Sequence, residues 1–298
     1  MTVRPVADET GKGHGMHRKT VARASAALAL AGALGVVGLN AADAGQDRPD
    51  RSTAQQPRSS ARPALLDIDY KDGSLDSGIP GLTTTHATAH DASSVVRSGD
   101  DYAITHKVTL GDSGYESDGA PRSESATNDI PGGIFHVGDA RRYEFSVLLK
   151  DWKTYEPGDT ESGDIIFQGK HAGGNRPSFY LMTKRNSIAF RSPALDLQAE
   201  VVDDFRPYID RWMTFRVDVR WTDDKTGYYR ISTRMPGEPG FTLRKTYENV
   251  QTFHPVNPTN FGYIKWGLYR PSQRIGNGDV PTRIVQHDNI SIQDLAGG

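Results

Sequence analysis

After about residue 60, apolar and polar residues alternate along much of the chain, and a period of two is typical of β-strands that bury one face. In segment 212–221, every second residue from Met213 to Trp221 is apolar, and the residues between them are Thr, Arg or Asp. The same pattern predicts strands at 102–110, 143–149, 228–235, 263–270 and 284–292. Residues 201–209 break the alternation and predict a short helical turn.

Turn-forming residues separate these strands, as in the predicted hairpin loop 223–227 (Asp-Asp-Lys-Thr-Gly). Many short strands, with little helical periodicity and no internal repeat, predict an all-β fold. The expected architecture is an antiparallel β-sandwich of the jelly-roll, concanavalin-like type, formed by residues 63–298. A curved sheet of this kind offers a concave groove for a long, extended ligand.

The first 62 residues do not share this pattern. Basic residues 17–19 precede an apolar run at 24–39, which is followed by Ala42-Asp43-Ala44. This order is typical of a secretory signal peptide with an A-x-A cleavage site. We therefore predict a signal peptide at 1–44, a disordered linker at 45–62 and a secreted protein cleaved near Ala44. The alternative is a retained N-terminal anchor helix, although the run is short for a membrane span.

The amino-acid composition excludes several kinds of site and partner. The 298 residues include no cysteine, which excludes a disulfide scaffold, a thiol nucleophile and thiolate metal sites. A net charge of −2 disfavours nucleic acid as a partner. His86 and His90 have the spacing of helical metal ligands, but the flanking threonines favour exposed loop histidines. No cofactor is required by any motif. The fold class is compatible with a structural Ca²⁺ ion, for which the sequence fixes no ligands.

The most informative strand is 263–270. As a strand, it places Ile264, Trp266 and Leu268 on an apolar face. The opposite face carries Tyr263, Lys265, Gly267 and Tyr269. Because Gly267 has no side chain, we expect a ligand to approach the backbone there. An ordinary surface strand that happens to carry tyrosines is the alternative.

Two further motifs carry polar side chains on predicted strands. Arg122 and Glu124 share a face, and a guanidinium held by a carboxylate is suited to binding a substrate carboxylate. Gln168, Lys170 and His171 follow the apolar run 165–167. Each motif alone also has an ordinary explanation. Arg-x-Glu is common by chance, and the second cluster could be a strand end that turns into the Gly-Gly loop at 173–174.

Together and in this order, Arg-x-Glu, the Gln/His strand and Tyr-x-Lys-x-Gly-x-Tyr resemble the β-jelly-roll polysaccharide lyases. The likeness is to the heparin lyase I and glucuronan lyase type, with alginate lyases related in fold and motifs. It covers residues 65–295. It implies a monomeric lyase acting on an acidic polysaccharide, of the glucuronan or heparin/heparan type. Such a lyase breaks 4-linked uronic acid polymers by β-elimination and leaves 4,5-unsaturated uronate ends.

The resemblance also implies roles for individual residues. Tyr269 matches the catalytic tyrosine, Arg122 the carboxylate-binding arginine and Gln168 the glutamine that helps to neutralise the carboxylate. His171 matches a histidine that acts as base or neutraliser. The remaining polar residues of the motifs are expected to bind substrate: Lys265, Glu124, Lys170, Tyr263 and Arg270.

One spacing departs from the family. The usual pattern is Gln-x-His, whereas here two residues separate Gln168 from His171. On a regular strand these two side chains would point to opposite faces. Either a bulge near Gly169 returns His171 to the groove, or His106 or His136 serves instead.

Sugar stereochemistry leaves the catalytic base open. In glucuronate and mannuronate, H5 and O4 lie on the same side, so Tyr269 could serve as both base and acid. In iduronate and guluronate they lie on opposite sides, and His171 would then take the proton. The sequence does not choose the polymer, its sulfation, or endo versus exo cleavage.

Two other functions compete with the lyase. A retaining glycoside hydrolase needs two carboxylates about 5–5.5 Å apart, and the nearest candidates are Glu161 and Asp164. A non-catalytic, lectin-like carbohydrate-binding module would keep the aromatic groove. It would have no need for Arg122, His171 and Tyr269 together.

Overall fold

The computed structural model describes residues 64–174, 176–257 and 259–295. The predicted signal peptide and linker lie outside the described residues. In chain order, the sixteen strands are β1 Leu66–Ile68, β2 Ser93–Ser98, β3 Asp101–Thr109, β4 Glu116–Ser117, β5 Ala120–Ala126, β6 Ile134–Phe135, β7 Ala140–Lys150, β8 Ile165–His171, β9 Phe179–Lys184, β10 Ser187–Ser192, β11 Leu197–Val202, β12 Met213–Arg220, β13 Gly227–Arg234, β14 Thr242–Val250, β15 Gly262–Tyr269 and β16 Thr282–Asp294.

These strands form two eight-stranded antiparallel sheets. The first has the order β14-β13-β12-β7-β16-β3-β2, with β1 paired to β16. The second has the order β11-β10-β9-β8-β15-β5-β4, with β6 paired to β15. Consecutive hairpin pairs such as β12-β13 and β9-β10 alternate with pairs that are distant in sequence, such as β7-β16 and β5-β15, as in a jelly roll. The predicted all-β, antiparallel sandwich is therefore confirmed.

The core lies between the two sheets, and strand alternation builds it. On β12, the side chains of Met213, Phe215, Val217 and Val219 are all fully buried. On β15, Ile264, Trp266 and Leu268 are buried in the same way, as the sequence predicts. The rings of Phe145 on β7 and Phe167 on β8 stack across the interior with centroids 3.8 Å apart. Such packing holds the sheets face to face.

Short 3₁₀ turns provide the helical structure of the described residues. They span Ser113–Tyr115, Pro131–Gly133, Arg206–Tyr208 and Ile275–Asn277. The helical turn expected at 201–209 is thus reduced to its second half. Val201 and Val202 instead end β11 with buried side chains, because β-branched residues pack well on a sheet. Within the described ranges, no helix is long and apolar enough to cross a membrane.

The register of the second sheet brings the sequence motifs together. β15 lies between β5 and β8, so all three motif strands are adjacent. Lys265 is paired with Gln168 on β8, and Gln168 is in turn paired with Tyr180 on β9. Tyr269 is paired with Arg122 on β5. The polar faces of these strands therefore meet on one surface of the sheet, opposite the core.

Candidate active site

A groove of about 590 Å³ lies on the outer surface of the second sheet. Its polar lining comes from Arg122, Gln168, Lys170, Tyr180, Lys265 and Tyr269. Arg176, from the loop before β9, adds a further cation. The lining is rich in positive charge and contains two phenols. It is suited to an acidic ligand with sugar rings, since anions pair with cations and sugars pack on aromatic rings.

A buried carboxylate lies among the groove side chains. Glu124 accepts a hydrogen bond from Lys265 Nζ at 2.6 Å and another from Gln168 Nε2 at 2.5 Å. Its carboxylate is 4.0 Å from Arg122 Nη1. Only 3% of the Glu124 side chain is exposed. The sequence-based expectation that Glu124 binds substrate is therefore wrong, because the carboxylate is covered and its oxygens are occupied.

Position 267 requires glycine because of its backbone conformation and the closeness of the neighbouring strand β5. Its φ angle is +139°, and β15 is out of register with β8 between Trp266 and Tyr269. A Cβ atom there would lie 2.3 Å from the carbonyl oxygen of Ser123 and 2.7 Å from the Cα of Glu124. These atoms belong to the neighbouring strand β5. The predicted close approach is therefore real, but it is made by protein backbone.

Arg122 and Tyr269 form a stacked pair at one end of the groove. The guanidinium carbon of Arg122 lies 4.1 Å from the centroid of the Tyr269 ring. Arg122 Nη1 also donates to Asp118 at 3.4 Å. Arg122 Nε is buried and has no hydrogen-bond partner among the described residues. Arg122 lines the groove, so its guanidinium can pair with a carboxylate placed there.

Lys170 and Tyr263 are cross-strand partners on β8 and β15. Burial lowers the pKa of Lys170, and the charges of Lys265 and Arg122 lower it further. Burial raises the pKa of Tyr263 to about 12, with a smaller contribution from Glu124. Tyr263 therefore holds its proton more tightly than an ordinary tyrosine, and it does not line the groove.

The structure places His171 in the core instead of the groove. From the pair His171–Gly262 to the pair Phe167–Trp266, the described strands β8 and β15 run without a register shift. The bulge expected near Gly169 is therefore absent from this pairing, and His171 points away from Gln168. Its side chain is fully buried, and its Nε2 shares a hydrogen bond of 2.6 Å with Ser178 Oγ. Burial lowers the pKa of His171 to about 4.

The two rival histidines do not replace it. His106 is fully buried, and its Nε2 shares a hydrogen bond of 3.1 Å with Ser125 Oγ. Burial lowers the pKa of His106 to about 3. His136 is exposed in the loop after β6 and does not line the groove. Of the described residues that line the groove, none is a histidine.

Arg270 also points away from the groove, contrary to the expectation that it binds substrate. It follows Tyr269 directly and therefore takes the opposite orientation. Only 1% of its side chain is exposed, and its Nε donates to Asp164 at 2.9 Å. Its two terminal nitrogens donate to the carbonyl oxygens of Val280 and Pro281. Arg270 is thus held in a buried network at the end of β15.

The contacts of Asp164 and Glu161 argue against these two residues as the carboxylate pair of a glycoside hydrolase. Asp164 is buried and ion-paired with Arg270, and burial raises its pKa. Glu161 is exposed and ion-paired with Arg185. Neither carboxylate lines the groove. His86 and His90 are exposed and lie outside helices, as the sequence predicts.

Comparison with protein families now identifies the chain. A family model described as "Polysaccharide lyase" matches residues 69–291. The protein belongs to the polysaccharide lyase family. A comparison with curated protein sequences finds no match. The resemblance based on the three motifs and the prediction of a polysaccharide lyase are therefore confirmed at the level of the family.

Solved structures place this polysaccharide lyase among jelly-roll lyases. An endo-β-1,4-glucuronan lyase from the fungus Trichoderma reesei is 18% identical, with a TM-score of 0.53 over 77% of this chain and 95% of that one. An alginate lyase from Aplysia kurodai is 12% identical, with a TM-score of 0.56 over 78% and 99%. An alginate lyase from Klebsiella pneumoniae is 12% identical, with a TM-score of 0.51 over 79% and 100%. At these identities, the likeness is one of fold.

Two groove residues of the polysaccharide lyase were missed by reasoning from sequence. Tyr180 faces the groove from β9, whose buried residues Phe179 and Leu181 flank it. This short alternation was a usable signal. Arg176 comes from a loop and carried no such signal. In the described part of the chain, no three His, Cys, Asp or Glu side chains are grouped to hold a metal ion.

Proposed function

We propose that this polysaccharide lyase is exported and cleaves a polymer of 4-linked glucuronate by β-elimination, with Tyr269 transferring both protons. The observation that carries the proposal is the Arg122–Tyr269 pair, in a cationic groove with no described histidine. Lys170 and Lys265 extend the positive charge along the groove. An acidic polymer is the ligand class that such a surface favours.

The first chemical requirement is to stabilise negative charge on the substrate carboxylate. The proton on C5 is barely acidic, and its removal delocalises charge onto the adjacent carboxylate. Preorganised donors in a site of this kind typically contribute several kcal/mol to the transition state. The guanidinium of Arg122, which lines the groove, can donate to this carboxylate. Gln168 keeps a second amide hydrogen, because its nitrogen gives only one to Glu124.

The second requirement is a base for the C5 proton and an acid for the departing O4. The histidines at positions 106 and 171 are buried in the core, and Tyr263 does not line the groove. Tyr269 is the phenol that lies next to the carboxylate-binding Arg122. As the phenolate, its oxygen would take the C5 proton, the C4–O4 bond would break, and the phenol would give this proton to O4, which restores the phenolate.

This assignment limits the stereochemistry of the substrate. One phenol reaches one face of the sugar, so H5 and O4 must lie on the same side. Glucuronate and mannuronate meet this condition, whereas iduronate and guluronate do not. The structural neighbour named as an endo-β-1,4-glucuronan lyase supports glucuronate as the first choice. Heparan-type polymers also contain glucuronate, and we expect cleavage of these polymers at their glucuronate residues.

A product assay on a panel of polymers tests this proposal. The purified protein is incubated with glucuronan, polymannuronate, polyguluronate, heparin, heparan sulfate and hyaluronan. The 4,5-unsaturated product is followed by its ultraviolet absorbance. We expect the fastest absorbance rise with glucuronan and none with polyguluronate. New reducing ends without absorbance on every active substrate would overturn the lyase chemistry, and a preference for polyguluronate would overturn the stereochemistry.

Export is a separate part of the proposal. It is supported by the basic, apolar and Ala-Asp-Ala segments in the order of a signal peptide, ending at Ala44. We propose that the mature enzyme acts as a secreted monomer. Mass spectrometry of culture supernatant should find an N-terminus near Gly45. An intact N-terminus found only inside cells would contradict export. Gel filtration of the supernatant protein tests whether it is a monomer.

A further inference from the structure

We infer that Glu124 is a positioning residue, whose carboxylate fixes the orientation of Gln168 and Lys265 for the reaction. This inference rests on the proposed function and assigns a role that the substrate-binding motifs did not predict. Glu124 does not line the groove, and its side chain is only 3% exposed. It acts through side chains that do line the groove.

Glu124 connects strands that do not pair with each other. It lies on β5, whereas Gln168 lies on β8, and both strands pair with β15 between them. The β15 residue directly opposite Glu124 is Gly267. A Cβ atom at Gly267 would clash with the Ser123 carbonyl oxygen and the Glu124 Cα, so the glycine allows β5 to lie close to β15. From β5, the Glu124 side chain reaches Gln168 on the far side of β15.

The two carboxylate oxygens have different tasks. Oε1 accepts from the Gln168 amide nitrogen at 2.5 Å, and Oε2 accepts from the Lys265 ammonium at 2.6 Å. The first contact determines which way the amide of Gln168 faces, because its nitrogen must point toward Glu124. The second holds the ammonium of Lys265 at the floor of the groove. Both donors would otherwise have several rotamers available.

Glu124 also offsets part of the groove's charge. Arg122, Lys170 and Lys265 line the same groove, and like charges at this separation repel one another. The carboxylate is paired with Lys265 and is 4.0 Å from Arg122 Nη1. It keeps the ammonium of Lys265 engaged within the protein. Substrate then meets an ordered set of donors.

A glutamine at position 124 separates this role from simple space filling. Glutamine has nearly the same shape, but it has one acceptor oxygen and one NH₂ group. Because Gln168 and Lys265 approach different oxygens of Glu124, the NH₂ group of a glutamine there would face one of these two donors. Either Lys265 moves away or the amide of Gln168 reverses. Lys265→Met removes the ammonium and relieves that conflict. The double variant Glu124→Gln/Lys265→Met is therefore the informative comparison.

The experiment measures kcat and KM for four variants and wild type on the polymer that wild type cleaves fastest. The variants are Glu124→Gln, Lys265→Met, their double variant, and the control Glu144→Gln. Glu144 is ion-paired with Arg216 in the first sheet, away from the groove. We expect Glu124→Gln to lower kcat by about 10- to 100-fold, as for loss of a charge-assisted hydrogen bond, with KM little changed. The control should match wild type.

The double variant decides the mechanism. If Glu124 acts by positioning, the kcat of the double variant is no lower than that of Lys265→Met alone. The inference would be overturned if the fold-losses in kcat of the two single variants multiplied in the double variant. It would also be overturned if Glu124→Gln kept the kcat of wild type. If Glu124→Gln fails to fold, Glu124→Asp keeps the charge but is one methylene shorter, and should show the same kcat loss with wild-type thermal stability. Wild-type kcat in a folded Glu124→Asp would then overturn it.

A spectroscopic readout makes the inference independent of lyase activity. The side-chain amide signals of Gln168 are observed by NMR in protein labelled with ¹⁵N-glutamine and assigned by their loss in Gln168→Ala. They should shift in Glu124→Gln and stay unchanged in Glu144→Gln. If wild type forms no unsaturated product on any polymer, the proposed function fails, and this measurement still decides the role of Glu124. Unchanged Gln168 signals in Glu124→Gln would then refute it.

Discussion

The guanidinium of Arg122 lies over the ring of Tyr269, with its central carbon 4.1 Å from the ring centroid. The two residues are cross-strand partners on β5 and β15. Their side chains therefore lie side by side without any loop to position them, and sites on strands are held more precisely than sites on loops. We propose that the pair forms the catalytic end of the groove, with Arg122 on the carboxylate and Tyr269 on the proton.

Replacing Arg122 with alanine should impair both binding and catalysis. The charge-assisted contact to the substrate carboxylate exists in the ground state and strengthens in the transition state. We therefore expect KM to rise and kcat to fall, whereas Arg122→Lys, which keeps the charge but loses the planar fork, should be intermediate. Steady-state kinetics on the preferred polymer measures this. An unchanged KM in Arg122→Ala would remove Arg122 from carboxylate binding.

Gly267→Ala should destabilise the fold. The residue has a φ of +139°, and a Cβ atom would lie 2.3 Å from the Ser123 carbonyl oxygen. Backbone strain of this kind typically costs about 1–3 kcal/mol, and the contact adds to it. Thermal or urea unfolding should show the loss. Gly240→Ala is the matched control, because a Cβ atom there meets nothing within 4 Å; equal stability of the two variants would contradict the explanation.

Arg270→Ala should act on stability and not on substrate affinity. It removes the shorter of the two ion pairs of the buried Asp164 carboxylate and leaves Arg283 Nε at 3.7 Å. Breaking a buried ion pair commonly costs about 3–5 kcal/mol, and we expect the loss to lie at or below this range. Urea unfolding should detect this loss. In whatever fraction remains folded, KM should be close to that of wild type. A large rise in KM without loss of stability would restore Arg270 to the substrate-binding residues.

The pH dependence of stability should report the buried His171. Burial lowers its folded-state pKa to about 4, below the ordinary value of 6.5. Between these values the unfolded chain binds the extra proton, so the stability contribution is complete above about pH 6.5 and is lost as the pH falls toward 4. The expected loss from pH 7 to pH 5 is about 2 kcal/mol.

His171→Gln should therefore flatten the pH dependence while leaving kcat near that of wild type. Urea unfolding at pH 7 and pH 5 gives the slope for both proteins. His106 is titrated in the same direction, since burial lowers its pKa to about 3, so wild type retains a slope from other groups. Equal slopes for wild type and His171→Gln would contradict the placement, and a large kcat loss at unchanged stability would return His171 to catalysis.

Alternation predicted much of the site from sequence. It assigned the two faces of β15, with Lys265 and Tyr269 opposite the core, and it put Arg122 and Glu124 on one face of β5. Only the family resemblance joined Arg122 to the other two residues. Alternation also indicated that His171 and Gln168 face opposite ways. The resemblance required either a bulge or another histidine, and the regular register agrees with alternation.

Other features could not be read from the sequence. The contacts of Glu124 link β5 to β8 across β15, so they depend on the order of the strands. The need for Gly267 comes from its φ angle and from the approach of β5. We expected Arg270 to bind substrate although it directly follows Tyr269, and its buried partner Asp164 became visible only in three dimensions.

The rate of unsaturated-product formation by Tyr269→Phe on glucuronan tests the central claim most directly. The change removes one oxygen and keeps the ring beneath Arg122, so thermal stability should match wild type. Loss of the proton-transferring group should lower kcat by about 10²- to 10⁴-fold, with little change in KM. Near-wild-type turnover by a folded Tyr269→Phe would contradict the account and show that another group transfers the proton.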